Sequence, residues 1–268
     1  MKKRSVVISG GMQGIGFEIG KYFLINSNFH LCIIDKELHL ENIEFLERHF
    51  PMRFSIFEAD LSSQKVVIST AAKITEELMP EILINNIGPR NNAFFEDETG
   101  EMFSSVLNVV VLVNFLLSRS FLQWAKRQGL NKFRIVNIGS ILGDYVGPQA
   151  PSYHVAKGAL QSLTRYLSVE GKAYVSDLSV ILLQIGFIVQ NRHREKFDSD
   201  SNLNFKKTVQ QYQGSSYIYS DEDVATNVFL LATGESASLL NGNTIDLDNG
   251  AQYKENLESL FLYQRKNE

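Results

Sequence analysis

Short apolar segments rich in β-branched residues alternate along this chain with longer segments whose apolar residues recur at helical spacing. That alternation is the pattern of parallel strands joined by right-handed helical crossovers. Strands are expected at Ser5–Ser9, His30–Asp35, Phe54–Ala59, Ile82–Asn85, Arg134–Ile138, Leu178–Gln184 and Thr244–Leu247. Helices are expected at Gly14–Asn26, His39–Phe50, Ser62–Met79, Glu101–Gln128, Ser152–Tyr174 and Asp221–Thr233. No Pro- or Ser-rich linker divides the chain and no internal repeat occurs. The expected fold is therefore α/β, one doubly wound parallel sheet of about seven strands with helices on both faces, filling residues 1–250. Phe187–Ser220 is polar and aperiodic, which predicts a long functional loop. Residues 251–268 form a tail in which Leu257, Leu260 and Phe261 fall at helical spacing.

Composition narrows the classes of partner. The 268 residues are 44% hydrophobic and 21% charged, enough for a sizeable core without disulfide or metal staples. A formal charge of −4 gives no whole-chain attraction to nucleic acid or to an anionic membrane. Cys32 is the only cysteine, so intrachain disulfides and cysteine-clustered metal sites are excluded, and a reducing compartment is the simplest home. After the basic Met1–Arg4, the apolar Val6-Val7-Ile8 breaks at Ser9-Gly10-Gly11, too soon for a signal-peptide core. The longest apolar run, Val106 to Leu117, is interrupted by Asn108 and Asn114 and is too short to span a bilayer. A cytoplasmic protein is expected. The histidines His30, His39, His49 and His193 lack metal-ligand spacing, and no metal site is indicated.

Ser9-Gly10-Gly11-Met12-Gln13-Gly14-Ile15-Gly16 follows the first strand and opens the first helix. Glycines there permit positive φ and close approach of a pyrophosphate, while the helix N-terminus offers unpaired N–H groups and the positive end of its dipole. Asp35 closes the second strand 19 residues beyond Gly16, where a carboxylate binds ribose hydroxyls and repels a 2′-phosphate. Gln13 adds no cation for such a phosphate, so NAD(H) is favoured over NADP(H), with the adjacent Lys36 as a counterweight.

Tyr153-His154-Val155-Ala156-Lys157 places a phenol and an ammonium on one face of a helix, with His154 on another face in a structural role. Ser140 stands just past the fifth strand, at the sheet edge where open α/β folds bind ligands. The three form a coherent set. The ammonium favours phenolate, Tyr153 exchanges the substrate proton, and Ser140 hydrogen-bonds the carbonyl or alcohol oxygen.

On these residues the chain resembles the short-chain dehydrogenase/reductase family in its compact form, from Ser9 to Gly250. The family's glycine motif appears as Ser9 through Gly16, with serine for threonine. Its acidic adenine contact matches Asp60, followed by Leu61; its Asn-Asn-Ala-Gly segment reads Asn85-Asn86-Ile87-Gly88. Its Ser/Tyr/Lys triad falls on Ser140, Tyr153 and Lys157, and Gly242–Gly250 is similar to its last strand and close. The resemblance implies a Rossmann-type fold, a nicotinamide cofactor, alcohol–carbonyl redox chemistry and a homo-oligomer, tetramer or dimer. It also implies that Lys157 holds the nicotinamide ribose and that Asn86, Gly88, Gly186 and Ile188 contact the cofactor.

Three departures from the family pattern stand out. The asparagine expected in the fourth helix, 25 residues after Asn85, falls on Val110; Asn108 and Asn114 are displaced substitutes, and Phe103 holds the usual aromatic position. After the sixth strand Ile185-Gly186 replaces Pro-Gly, and Gln190 replaces a threonine. Ile87 stands for a small alanine. Substrate contacts are expected from Arg90, Ile141, Leu142, Gln149 and Phe187, with Arg90 either clamping a carboxylate or remaining a solvated charge. The cluster Arg192-His193-Arg194 near Lys196 has the same two readings, an anion contact or a surface decoration. The function these features point to is interconversion of a secondary alcohol and a ketone. The alternatives are a cofactor-binding scaffold or sensor with weak turnover, or a non-redox lyase or isomerase on the same fold.

Overall fold

In the computed structural model of the chain, residues 2–146, 149–190 and 217–249 are described. The strands are β1 Lys3–Ser9, β2 His30–Asp35, β3 Phe54–Glu58, β4 Leu78–Asn85, β5 Lys132–Ile138, β6 Asp177–Ile185, β7 Ile188–Val189, β8 Tyr219–Ser220 and β9 Thr244–Leu247. Seven of them form one sheet in the order β3-β2-β1-β4-β5-β6-β9, every pair parallel. The helices are α1 Gly14–Asn26, α2 Leu40–His49, α3 Gln64–Glu77, α4 Gly100–Leu107, α5 Val113–Arg127, α6 Pro151–Glu170 and α7 Asp221–Thr233. The Rossmann-like architecture expected from the sequence is the one observed.

Both faces of the sheet are buried, which explains its continuous Val/Ile/Leu runs. On one face Val7, Ile34, Leu83 and Ile135 meet α3 and α5 through Val67, Ile74, Leu117 and Phe121. On the other, Val6, Ile8, Ile33 and Val136 meet α1 and α7 through Ile19, Phe23, Val224 and Val228.

Several boundaries differ from expectation. The third helix stops at Glu77, because Leu78 and Met79 enter β4 and pair with Lys3 and Arg4. Inside the expected loop, β7 and β8 pair with each other as a separate parallel ribbon. The remainder of that loop, including Arg192-His193-Arg194 and Lys196, lies outside the described residues, as do Pro148, Gly250 and the tail. The sixth helix ends at Glu170 and passes into a short 3-10 turn, Gly171–Ala173. The fourth is one path from Gly100 to Arg127 broken by a π turn at Asn108–Leu112. At 28 residues this path is long and apolar enough to cross a membrane, contrary to the estimate from its apolar run. Its inward residues, among them Val113, Leu117, Phe121 and Trp124, are packed into the sheet face, which makes it a core helix.

β1 lies between β2 and β4, so the crossovers diverge there and leave a crevice at the carboxyl ends of the strands. Asn86, just beyond β4, fastens that crevice: its Nδ2 donates to Ser9 O at 3.2 Å and Gly10 O at 2.7 Å, while its backbone N–H donates to Ser9 Oγ. Gly16 sits within this knot. A Cβ there would fall 2.2 Å from Gly10 O and 2.6 Å from Asn86 Nδ2. Gly16→Ala therefore forces the turn away from β4. The melting temperature is expected to fall by roughly 5 °C or more, with dinucleotide affinity lost in parallel, as read by thermal unfolding and cofactor titration.

Candidate active site

A cavity of about 1020 Å³ runs along the carboxyl edge of the sheet. It joins nearly all the residues expected at the site: Gly10, Gln13, Gly14, Ile15, Gly16, Asp35, Asp60, Leu61, Asn86, Gly88, Arg90, Ser140, Leu142, Tyr153, Lys157, Gly186, Phe187 and Ile188. Ser9 is fully buried beneath the turn and acts through Asn86. Ile141 and Gln149 are not among the lining residues; Ile141 belongs to a 3-10 turn whose Leu142 lines the cavity. Ser105 and Val109 also line the cavity, one helical turn apart along the fourth helical path. Only the docking of that path shows them there, because their spacing matches any helix face.

At the turn, Gly10 and Gly14 have φ of +67° and +54°. Gln13 is the N-cap of α1, and its side chain does not bond the N–H groups of the first turn. Open N–H groups at a helix start beside a cradle too tight for added side chains suit a pyrophosphate. Gln190 reaches over Gly14, to which an added Cβ would lie 3.3 Å from Gln190 Nε2. At the other end of the cradle, Asp35 Oδ2 accepts from Met12 N–H at 3.0 Å and Oδ1 from Lys36 N–H at 2.8 Å. A carboxylate offers about four acceptor positions, so this fixed group retains capacity for a ribose hydroxyl. Lys36 Nζ lies 3.4 Å from Glu37. A backbone hydrogen bond from Ser62 holds the Asp60 carboxyl below its ordinary range.

The fourth helical path resolves the asparagine question. Asn108 is exposed, Val109 lines the cavity, and Val110 is fully buried in one cluster with Ala156 and Leu160 of α6. Asn114 is buried deeper in the α5 core and does not line the cavity. An apolar side chain thus stands at the position counted for the asparagine, beside the helix that carries Tyr153 and Lys157.

Across the cavity, Ser140 starts the turn Ile141–Gly143, with its Oγ accepting from Leu142 N–H at 3.2 Å. Gly143 and Gly158 let that turn lie directly on α6, since a Cβ on Gly143 would meet Gly158 N at 3.0 Å. This close approach places Ser140 beside the Tyr153 phenol, both on the cavity wall. Burial pushes the Tyr153 phenol above its ordinary value, while the Ser140 hydrogen bond and the Arg90 charge pull the other way. Lys157 Nζ lies 5.4 Å from the Tyr153 ring centroid and donates to Ile138 O at 2.7 Å. His154 contacts Ala150 O through Nδ1, in keeping with a structural role.

The family model for short chain dehydrogenases matches residues 4–201. The chain belongs to the short-chain dehydrogenase family. Family membership makes it an oxidoreductase of that group. A curated relative, 2-dehydro-3-deoxy-D-gluconate 5-dehydrogenase of Bacillus subtilis (strain 168), is 26% identical over 251 residues, 93% of this chain and 95% of the relative. Among solved structures, 4-hydroxyisoleucine dehydrogenase complexed with NADH is 25% identical, with a TM-score of 0.80, covering 92% of this chain and 98% of that one. ElxO with NADP bound shares the fold at a TM-score of 0.80 and 22% identity, covering 94% of this chain and all of that one. Short-chain dehydrogenases of this shape thus hold either form of the dinucleotide.

Burial lowers the Lys157 ammonium from its ordinary value near 10.5 to about 8. Below pH 8 folded and unfolded chains both carry the proton, and the folded state bears the cost of a buried charge. Between about pH 8 and 10.5 only the unfolded chain holds it, so stability rises with pH in that window. The melting-temperature gap between Lys157→Met and the native apoprotein is expected to shrink as pH rises from 7.5 to 10. A gap that does not change with pH contradicts burial as the cause.

Proposed function

We infer that this protein is an NAD(H)-linked oxidoreductase that interconverts a secondary alcohol and its ketone, with Tyr153 as the acid/base. The observation that carries the reading is the grouping of Ser140, Tyr153 and Lys157 on one wall of a cavity whose other end is a glycine cradle and a fixed carboxylate. Gly10, Gln13, Gly14, Ile15, Gly16, Asn86, Gly88, Gly186 and Ile188 would hold the dinucleotide phosphates and nicotinamide, and Asp35, Asp60 and Leu61 its adenosine end. A bound nicotinamide supplies the hydride acceptor or donor. In alcohol oxidation, the Tyr153 phenolate accepts the hydroxyl proton as the carbonyl forms, and Ser140 donates a hydrogen bond to the same oxygen. In reduction, the neutral phenol, favoured by its burial, returns that proton. Lys157, held by Ile138 O, would favour phenolate through its charge and would hydrogen-bond the nicotinamide ribose of a bound cofactor.

Small molecules are the partners in this reading, with neither nucleic acid nor membrane involved. The assembly is a cytoplasmic homo-oligomer, a tetramer or dimer. A second reading, a cofactor-binding protein with weak turnover, draws on Val110, whose apolar packing against α6 leaves no amide at the position where the family pattern has an asparagine.

Tyr153→Phe is expected to lower kcat on any alcohol or ketone by about 10²–10⁴-fold while cofactor affinity changes little. A panel of alcohols and ketones that leaves the reduced-nicotinamide absorbance unchanged, despite measured cofactor binding, overturns the redox reading in favour of the second. Asp35→Ala is expected to weaken NAD+ about tenfold and to raise the NADP+-to-NAD+ affinity ratio in calorimetric titration. Equal affinity of the native protein for the two overturns the role given to Asp35.

A further inference from the structure

The loop that leaves β4 is clamped to the start of α6. Asn91 Nδ2 donates to Glu98 Oε1 at 2.5 Å and to Ser152 Oγ at 3.3 Å. Glu98 Oε2 accepts from Ser152 N–H at 2.9 Å, Glu98 Oε1 accepts from Ser152 Oγ, and Ala93 O accepts from Ala150 N–H at 2.9 Å. Ser152 has no exposed surface and immediately precedes Tyr153. Burial pushes the Glu98 carboxyl up, but the hydrogen bonds from Ser152 and Asn91 outweigh it and keep the group below its ordinary value. An anionic Glu98 thus caps the first turn of α6 from a distance, where the helix dipole favours negative charge.

Arg90 stands one residue before this clamp. Its Cζ lies 5.8 Å from the Tyr153 ring centroid, and its side chain forms part of the cavity wall. Among the described residues it makes no hydrogen bond or ion pair. Both oxygens of the nearby Glu98 are engaged with Asn91 and Ser152. The two cavity acids, Asp35 at the end of β2 and Asp60 just past β3, lie on the far side of β1. The catalytic end of the cavity therefore presents a guanidinium on an anchored loop, with no carboxylate among the described lining residues on that side of β1.

We propose that Arg90 reads a carboxylate on the substrate. The substrate is then a short hydroxy acid or the matching oxo acid, with its carboxylate a few bonds from the carbon that reacts at Tyr153. Guanidinium and carboxylate match in planar, two-pronged geometry, and a loop fixed beforehand loses little freedom on binding. The identity of the reacting carbon rests on the oxidoreductase reading above; the carboxylate site itself does not.

The test uses the full chain loaded with NADH or NADPH, whichever binds more tightly. Pairs of 2-, 3- and 4-hydroxy acids of four to six carbons and their methyl esters are titrated by calorimetry. Reduced cofactor with an alcohol permits no hydride transfer, so these titrations read binding alone. Acids are expected to bind at least about tenfold tighter than their esters. In Arg90→Gln that ratio falls to near one, and in Arg90→Lys it is intermediate. A ratio near one in the native protein, or a ratio unchanged in Arg90→Gln, overturns the proposal. The matching oxo acids and esters are assayed for turnover in parallel. Turnover without preference for acids leaves the redox reading standing and removes this one. Arg90-dependent acid binding without any turnover does the reverse.

Discussion

The seam between β1 and β4 is the constraint on which the rest of the site depends. The two strands run in register from Val6 opposite Ile82 to Ser9 opposite Asn85. Their last residues therefore reach the sheet edge together, and Asn86 can bind both the Ser9 and Gly10 carbonyls. This tie sets the glycine turn and the start of the β4 loop relative to each other. One side of the seam becomes the glycine cradle and the other leads to Arg90. The hydroxyl of Ser9 performs its part from a fully buried position, accepting from the backbone N–H groups of Asn86 and Ile87.

A second junction, between the β5 edge and α6, assembles the triad. Ser140 comes from a turn laid on the helix at Gly143 and Gly158, whereas Tyr153 and Lys157 come from the helix itself. The start of α6 is held by Glu98 from a third element, so the phenol is positioned by contacts that converge from two loops. Lys157 is buried, bonded to a strand-end carbonyl and without a carboxylate partner among the described residues. Its charge is maintained at a cost in stability, in a position beside the neighbouring phenol ring.

Much of the site was legible from the chain because it lies in short motifs at element ends. β2, β9, α1 and the helix Asp221–Thr233 have the boundaries that periodicity and turn chemistry predict. The glycine turn, Asp35, Ser140, Tyr153 and Lys157 meet where strand ends must meet in a parallel sheet. The misses share a different cause. Leu78 and Met79 carry on an apolar helical pattern and enter β4 only because Lys3 and Arg4 pair with them. The π turn at Asn108–Leu112 has no composition of its own, and it decides which of Asn108, Val109 and Val110 reaches the cavity. Ser105 is not legible in the sequence, because a serine on a helix face carries no signal until the helix is docked. The same holds for Glu98, whose partners Asn91 and Ser152 lie 7 and 54 residues away.

By itself, the amino-acid sequence determined the parallel α/β class, the order of the motifs and the chemical groups available for binding and proton transfer. These follow from local periodicity and from strand-end positions that the topology leaves no freedom to move. Only the tertiary structure decided that Val110 packs against α6, that Leu142 rather than Ile141 lines the cavity, and that Arg90 lies over the Tyr153 ring. Those outcomes turn on a few ångströms of helix register and loop anchoring. They are set by contacts between residues far apart in the chain, which no local pattern encodes.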